Sequence, residues 1–138
     1  MYSYSYKVKD YGQPVKRYCQ TLELKDDKEL IEEYKRLHSR EHSRKVVRDG
    51  IRAAGILEME IYLFGNKLFM IVETPLDFDW DTAMGALAAM PGQAEWEKLV
   101  EKYQICRPGA SSAEKWQLME RIFYLYEDDP ATGNEENV

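Results

Sequence analysis

The sequence predicts an α+β domain of the ferredoxin-like type, a βαββαβ antiparallel sheet with both helices on one face. Three observations predict it. Four stretches carry strand-like alternation or a short apolar run, and the two intervals between the outer pairs carry apolar residues at helical spacing. The resulting order is strand, helix, strand, strand, helix, strand, the split βαβ arrangement. A chain of 138 residues is one domain by length and buries a core without disulfides or metals to staple it.

Each element has a local reason. In residues 15–24, Tyr18, Gln20, Leu22 and Leu24 alternate with Cys19, Thr21 and Glu23, as in a strand with one more apolar face. Asp26 or Asp27 then offers an N-cap, Glu29 an acidic first turn, and Leu30, Ile31, Tyr34, Leu37 and His38 the helical period. The pattern loosens from Ser39 to Lys45 and resumes through Val46, Val47, Ile51 and Ala54 before Gly55. One helix with an irregular middle and two helices with a polar joint both fit. Residues 56–64 and 67–74 read as strands joined by a Gly65-Asn66 hairpin turn. The run Leu68-Phe69-Met70-Ile71-Val72 suits a central strand. Asp79 or Asp81 caps the next helix, through Ala83, Met84, Leu87, Ala88 and Met90; Pro91-Gly92 interrupts it, and Ala94, Trp96, Leu99, Val100 and Tyr103 continue. Residues 107–113 read as a loop and 116–125 as the last strand.

The domain so defined runs from 15 to 126. Residues 1–14, with Tyr2, Tyr4 and Tyr6 at strand spacing, form an N-terminal arm, and residues 127–138 an acidic flexible tail. Helices on one face leave the other face of the sheet bare, and a second copy is the simplest cover, so a homodimer is expected.

Composition excludes several classes. A net charge of −6 argues against a nucleic-acid partner, whose phosphates demand a basic surface. No apolar run reaches membrane-spanning length, and no leader opens the sequence, so no membrane association is expected. Cys19 and Cys106 fit no metal spacing and suit free thiols in a reducing cytoplasm. His38 and His42 are four apart, but no third ligand accompanies them, and no metal is expected.

The candidate for chemistry is His38. On a helix it stacks over Tyr34, four residues earlier, at the end of the apolar stripe. An imidazole titrates near neutrality and moves a proton in either direction. A core-rim histidine bonded to a backbone carbonyl would occupy the same place. Trp96 shares its face with Leu99, Val100 and Tyr103, so core packing also accounts for it. Glu58, Glu60 and Glu73 read as solvated strand charges, with Glu60 or Glu73 as lesser candidates for lining a polar pocket.

The order and spacing of these segments resemble the L-rhamnose mutarotase family, small dimeric α/β-barrel proteins. The resemblance is carried by Glu33-Tyr34-Lys35-Arg36-Leu37-His38, Gly55, Ile61-Tyr62-Leu63, Leu68-Phe69, Val72-Glu73, Trp96 and Glu120-Arg121-Ile122-Phe123-Tyr124-Leu125, spanning about residues 16–125. The stretches Met59-Glu60-Ile61-Tyr62-Leu63 and Lys115-Trp116-Gln117-Leu118-Met119-Glu120-Arg121 look most like the branch assigned to L-fucose. The resemblance implies an isomerase that interconverts the α and β anomers of a 6-deoxy-L-sugar, L-fucose or L-rhamnose, with no cofactor. It implies His38 as the acid/base residue, Tyr34 as a sugar contact and Trp96 as a stacking face for the sugar. The chain departs from the pattern at Glu97, where many members carry a second tryptophan, and at Met59, where the rhamnose enzymes carry a tyrosine. Both are expected to touch substrate, Met59 as a soft contact for the methyl group. A third departure, Arg44-Lys45-Val46, replaces a Trp-Pro-Glu start. Against this stand a sugar-binding or assembly module without catalysis and, by fold analogy alone, a dimeric α/β-barrel monooxygenase.

Overall fold

Strands in the order β2-β3-β1-β4, all antiparallel, make one sheet in the computed structural model, which describes residues 4–127. They are β1 (Val15–Glu23), β2 (Glu58–Phe64), β3 (Lys67–Pro75) and β4 (Gln117–Leu118). The helices are α1 (Lys28–Leu37), α2 (Lys45–Ala53), α3 (Trp80–Ala88), α4 (Gln93–Glu101) and the one-turn α5 (Ser112–Lys115). This is the ferredoxin-like α+β arrangement, with each predicted helical interval divided in two.

Register decides which residues meet the helices. Tyr18 lies opposite Val72, Gln20 opposite Met70 and Leu22 opposite Leu68, while Met59 and Ile61 face Val72 and Met70 from the other side of β3. Alternation puts this set on one face. It packs with Tyr34, Met84, Leu87, Val100, Tyr103 and Trp116 into the core, where Leu24, Leu68, Val72 and Val100 are essentially sealed from water.

Of the alternative caps, Asp27 and Asp79 are the ones used. Asp27 accepts from the amides of Glu29 and Leu30, and Asp79 from that of Thr82. The seam between α2 and α4 is closer than side chains normally permit. Gly92, at φ +83°, precedes α4, and a Cβ there would fall 2.6 Å from Val46 Cγ1. One turn along α2, Gly50 leaves room for the Gln93 amide, which donates to the Val47 carbonyl at 3.0 Å. This seam fixes the roll of α4, and with it the directions of Trp96 and Glu97.

Two expectations need correction. The last strand was expected over residues 116–125, but only Gln117–Leu118 pair with β1, and the Met119 amide adds one bond to the Cys19 carbonyl. Beyond Met119 the apolar residues Ile122, Phe123, Leu125 and Tyr126 are exposed. Glu73 is not a solvated strand charge. It is buried on the sheet face away from the helices, where Arg17 pairs with it at 2.8 Å and the Tyr11 hydroxyl donates to it at 2.8 Å. The arm that carries Tyr11 also lays Tyr6 edge-on against Tyr62, so part of the sheet's second face is covered from within the chain. Tyr2 and residues 128–138, most of the expected tail, lie outside the described residues.

Candidate active site

His38 ends α1. Its backbone amide closes the last turn onto Lys35 and Arg36, and its ring turns back so that Nδ1 lies 2.8 Å from the Tyr34 carbonyl. A carbonyl oxygen only accepts, so Nδ1 carries the hydrogen and Nε2 is left with its lone pair. The imidazole sits against the Tyr34 ring with centroids 4.3 Å apart, and edge-to-face against Trp96 at 5.1 Å. Two rings and one hydrogen bond therefore hold it in one orientation. Burial pushes its pKa below the usual histidine value, opposed in part by the bond to Tyr34. At neutral pH it is an uncharged base.

Tyr34 is buried, and its hydroxyl lies 3.4 Å from the Gln104 Nε2. Burial holds the phenol well above the usual tyrosine pKa, and the charge of Glu97 adds to this against the Gln104 bond. It is a neutral hydroxyl at any ordinary pH. Glu97 follows Trp96 on α4 and is held by Lys115, whose Nζ donates to Glu97 Oε1 at 2.9 Å and to the Glu97 carbonyl at 3.1 Å. The Lys115 side chain is 0% exposed and that of Glu97 19%.

Four of the five expected site residues, Tyr34, His38, Trp96 and Glu97, are thus gathered by the C-terminal end of α1 and the middle of α4. Met59 is placed separately. It lies on the edge strand β2 and packs on the core. His42 is in the turn after α1, exposed, with Nδ1 2.9 Å from the Ser39 hydroxyl. The basic residues of α2 face solvent, where Lys45 and Arg52 share Asp49.

Two participants escaped the sequence reading. Gln104 is 3% exposed, one end of its amide touches Tyr34, and its Oε1 has no partner among the described residues. Lys115 is the other. In the sequence it stands only within the Lys115-to-Arg121 stretch that resembles the L-fucose branch, after a short segment whose Ser111 and Glu114 form a capping box.

A family model described as L-rhamnose mutarotase matches residues 17–125. The chain belongs to the L-rhamnose mutarotase family. Members of this family are isomerases that act on sugars. The chain is 34% identical to an L-fucose mutarotase of Xanthomonas campestris pv. campestris over 113 residues, which cover 82% of this chain and 90% of that protein. It is 36% identical to a UPF0734 protein of Dictyostelium discoideum, covering 80% and 90%. Among solved structures, the L-rhamnose mutarotase of Formosa agariphila superposes with a TM-score of 0.61 at 18% identity, covering 80% of this chain and 99% of that one. That likeness establishes the mutarotase fold.

Proposed function

We propose that the chain exchanges the α and β anomers of a 6-deoxy-L-sugar, L-fucose or L-rhamnose, with His38 as the general acid/base. One observation carries this reading: Nδ1 is committed to the Tyr34 carbonyl, so Nε2 is the free nitrogen of an uncharged imidazole set between two aromatic rings. Anomer exchange needs that nitrogen. Nε2 takes the proton of the anomeric hydroxyl, and the imidazolium returns it to the ring oxygen as the bond from C1 to that oxygen breaks. The aldehyde turns about its bond to the next carbon, and closure runs the same transfers backwards. Both oxygens sit on one carbon, so a single nitrogen serves them. Such help is worth about 10²–10⁴ in rate, adequate for a reaction that already proceeds in water.

The other roles follow from residue chemistry. Trp96 offers its indole face to the C–H side of a pyranose. Tyr34, neutral, donates its hydroxyl to a sugar oxygen, and Glu97 accepts from sugar hydroxyls. Met59 is the soft contact for the methyl group, which requires the sugar to reach towards β2. We also propose a homodimer. Leu118, Met119, Ile122, Phe123, Leu125 and Tyr126 form an exposed apolar strap 44–90% accessible, more than one small chain ordinarily leaves to water. A second copy of the sheet covers it.

The test is saturation-transfer NMR on L-fucose and L-rhamnose at anomeric equilibrium, with and without protein. Faster exchange for either sugar supports the proposal, and unchanged exchange for both refutes it. Binding without faster exchange favours the sugar-binding module, for which the Glu97 replacement is the supporting observation.

A further inference from the structure

We propose that Lys115 is a positioning residue for Glu97, and that the two together are the specificity element that reads the donor hydroxyls of the sugar; this deepens the reading above and rests on it. An ammonium group with no exposed side-chain surface is costly to bury, and a pair made only to dock α5 on α4 is served as well or better by two apolar side chains. Something else must favour the charges.

Their placement suggests what. Glu97 is next to Trp96, which touches the His38 ring, and its charge is felt by the Tyr34 phenol. The carboxylate is therefore close enough to Tyr34 to act on its phenol. Lys115 spends its bonds on Oε1 and on the Glu97 carbonyl, leaving Oε2 without a protein partner among the described residues. A carboxylate pinned by one oxygen and open at the other is an acceptor-only surface. It suits a ligand that presents O–H groups, as a sugar does on adjacent carbons. An indole at this position would offer a face and one N–H donor, so the glutamate inverts the polarity of this wall. Lys115 is what makes the inversion tolerable in a half-buried place, and α5 is built to deliver it. Ser111 and Glu114 cap that turn reciprocally, and Arg107 ties Glu114 at 2.7 Å.

The experiment is a coupling measurement. Wild-type protein, Glu97→Gln, Lys115→Met and Lys115→Arg are titrated with whichever of L-fucose and L-rhamnose the wild type takes and with that sugar's monodeoxy and deoxyfluoro analogues, and affinity and anomer exchange are read by NMR. In the wild type, one deoxy analogue should bind about tenfold or more weakly, as for loss of a hydrogen bond to a charged group. The matching fluoro analogue, which accepts but cannot donate, should lose as much. That discrimination should shrink to about threefold or less in Glu97→Gln and Lys115→Met, and return in part in Lys115→Arg. Discrimination that persists unchanged in Glu97→Gln overturns the inference, and this variant decides alone should Lys115→Met not fold. If the wild type exchanges anomers but no analogue couples to these positions, this inference falls and the functional reading stands. If sugars bind with the coupling but exchange no faster, the reverse holds. A wild type that neither binds nor accelerates L-fucose or L-rhamnose refutes both.

Discussion

His38→Asn separates the two jobs of the imidazole. An asparagine amide reaches about as far as Nδ1, so its N–H can still donate to the Tyr34 carbonyl, now 2.8 Å from Nδ1. What is lost is Nε2, the proposed base, and the contacts of the ring with Tyr34 and Trp96 at 4.3 and 5.1 Å. Each such ring contact is worth about 0.5–1.5 kcal/mol, so the variant should be less stable by roughly 1–3 kcal/mol and still folded at room temperature. The catalytic loss should be larger. Removing a general acid/base costs about 10²–10⁴ in rate, or roughly 3–5 kcal/mol of barrier at about 1.36 kcal/mol per tenfold. Saturation-transfer exchange rates across pH test this together with a thermal melt. The wild-type acceleration should be flat at neutral and alkaline pH and fall as acid protonates the imidazole, at a pH below the usual histidine value because burial lowers the folded pKa. The residual rate of the variant should lack that step. Exchange within about threefold of wild type in a folded variant would refute the assignment of His38, since a general acid/base is worth far more than that.

The lowered pKa of His38 means that the unfolded chain takes up this proton first; its stability contribution is whole above about pH 6.5 and is lost as pH falls towards the folded value. The melting temperature should therefore drop between pH 7 and 5.5, and drop less in His38→Asn. Gln104→Met should change stability by less than about 1 kcal/mol, because removing the unpartnered Oε1 offsets leaving the buried Tyr34 hydroxyl without its 3.4 Å donor; a loss above about 2 kcal/mol in denaturant titration would show that the two do not offset. Gly92→Ala should cost about 1–3 kcal/mol from its φ of +83° and the Val46 contact, and Val46→Ala in the same chain should relieve only the steric share. Replacing both Ile122 and Phe123 by Glu should leave the fold intact and yield a monomer by light scattering; a wild type already monomeric at micromolar concentration refutes the dimer.

Much of this molecule was legible in the sequence because its elements are set by near neighbours. Alternation through Tyr18, Gln20, Leu22 and Leu24 specifies the core face of β1, and the spacing of Tyr34 and His38 specifies their stacking. Whether residues 28–54 were one helix or two was open, since the polar joint fits both; the structure breaks the run after His38, which caps α1. What was not legible depends on partners far along the chain. Lys115 meets Glu97 across 18 positions, Arg17 meets Glu73 across 56, and Gln104 meets Tyr34 across 70. A charge looks solvated until its partner is known, as Glu73 does without Arg17 and Tyr11. The last strand is the opposite case: its apolar period is real, but the chain leaves the edge of β1 after Met119 although β1 itself continues back to Val15.

The bond from Nδ1 to the Tyr34 carbonyl ties chemistry to counting. An insertion between Tyr34 and His38 would break the four-residue spacing and free the ring to choose the other tautomer. An insertion earlier in α1 would keep the bond and turn the pair about 100° around the helix axis, away from Trp96. Insertions in the turn after Leu24, before Asp27, leave both relations intact. Length changes should therefore be harmless on one side of Asp27 and ruinous on the other. The helix acts as a ruler, and its residue count decides where the imidazole points.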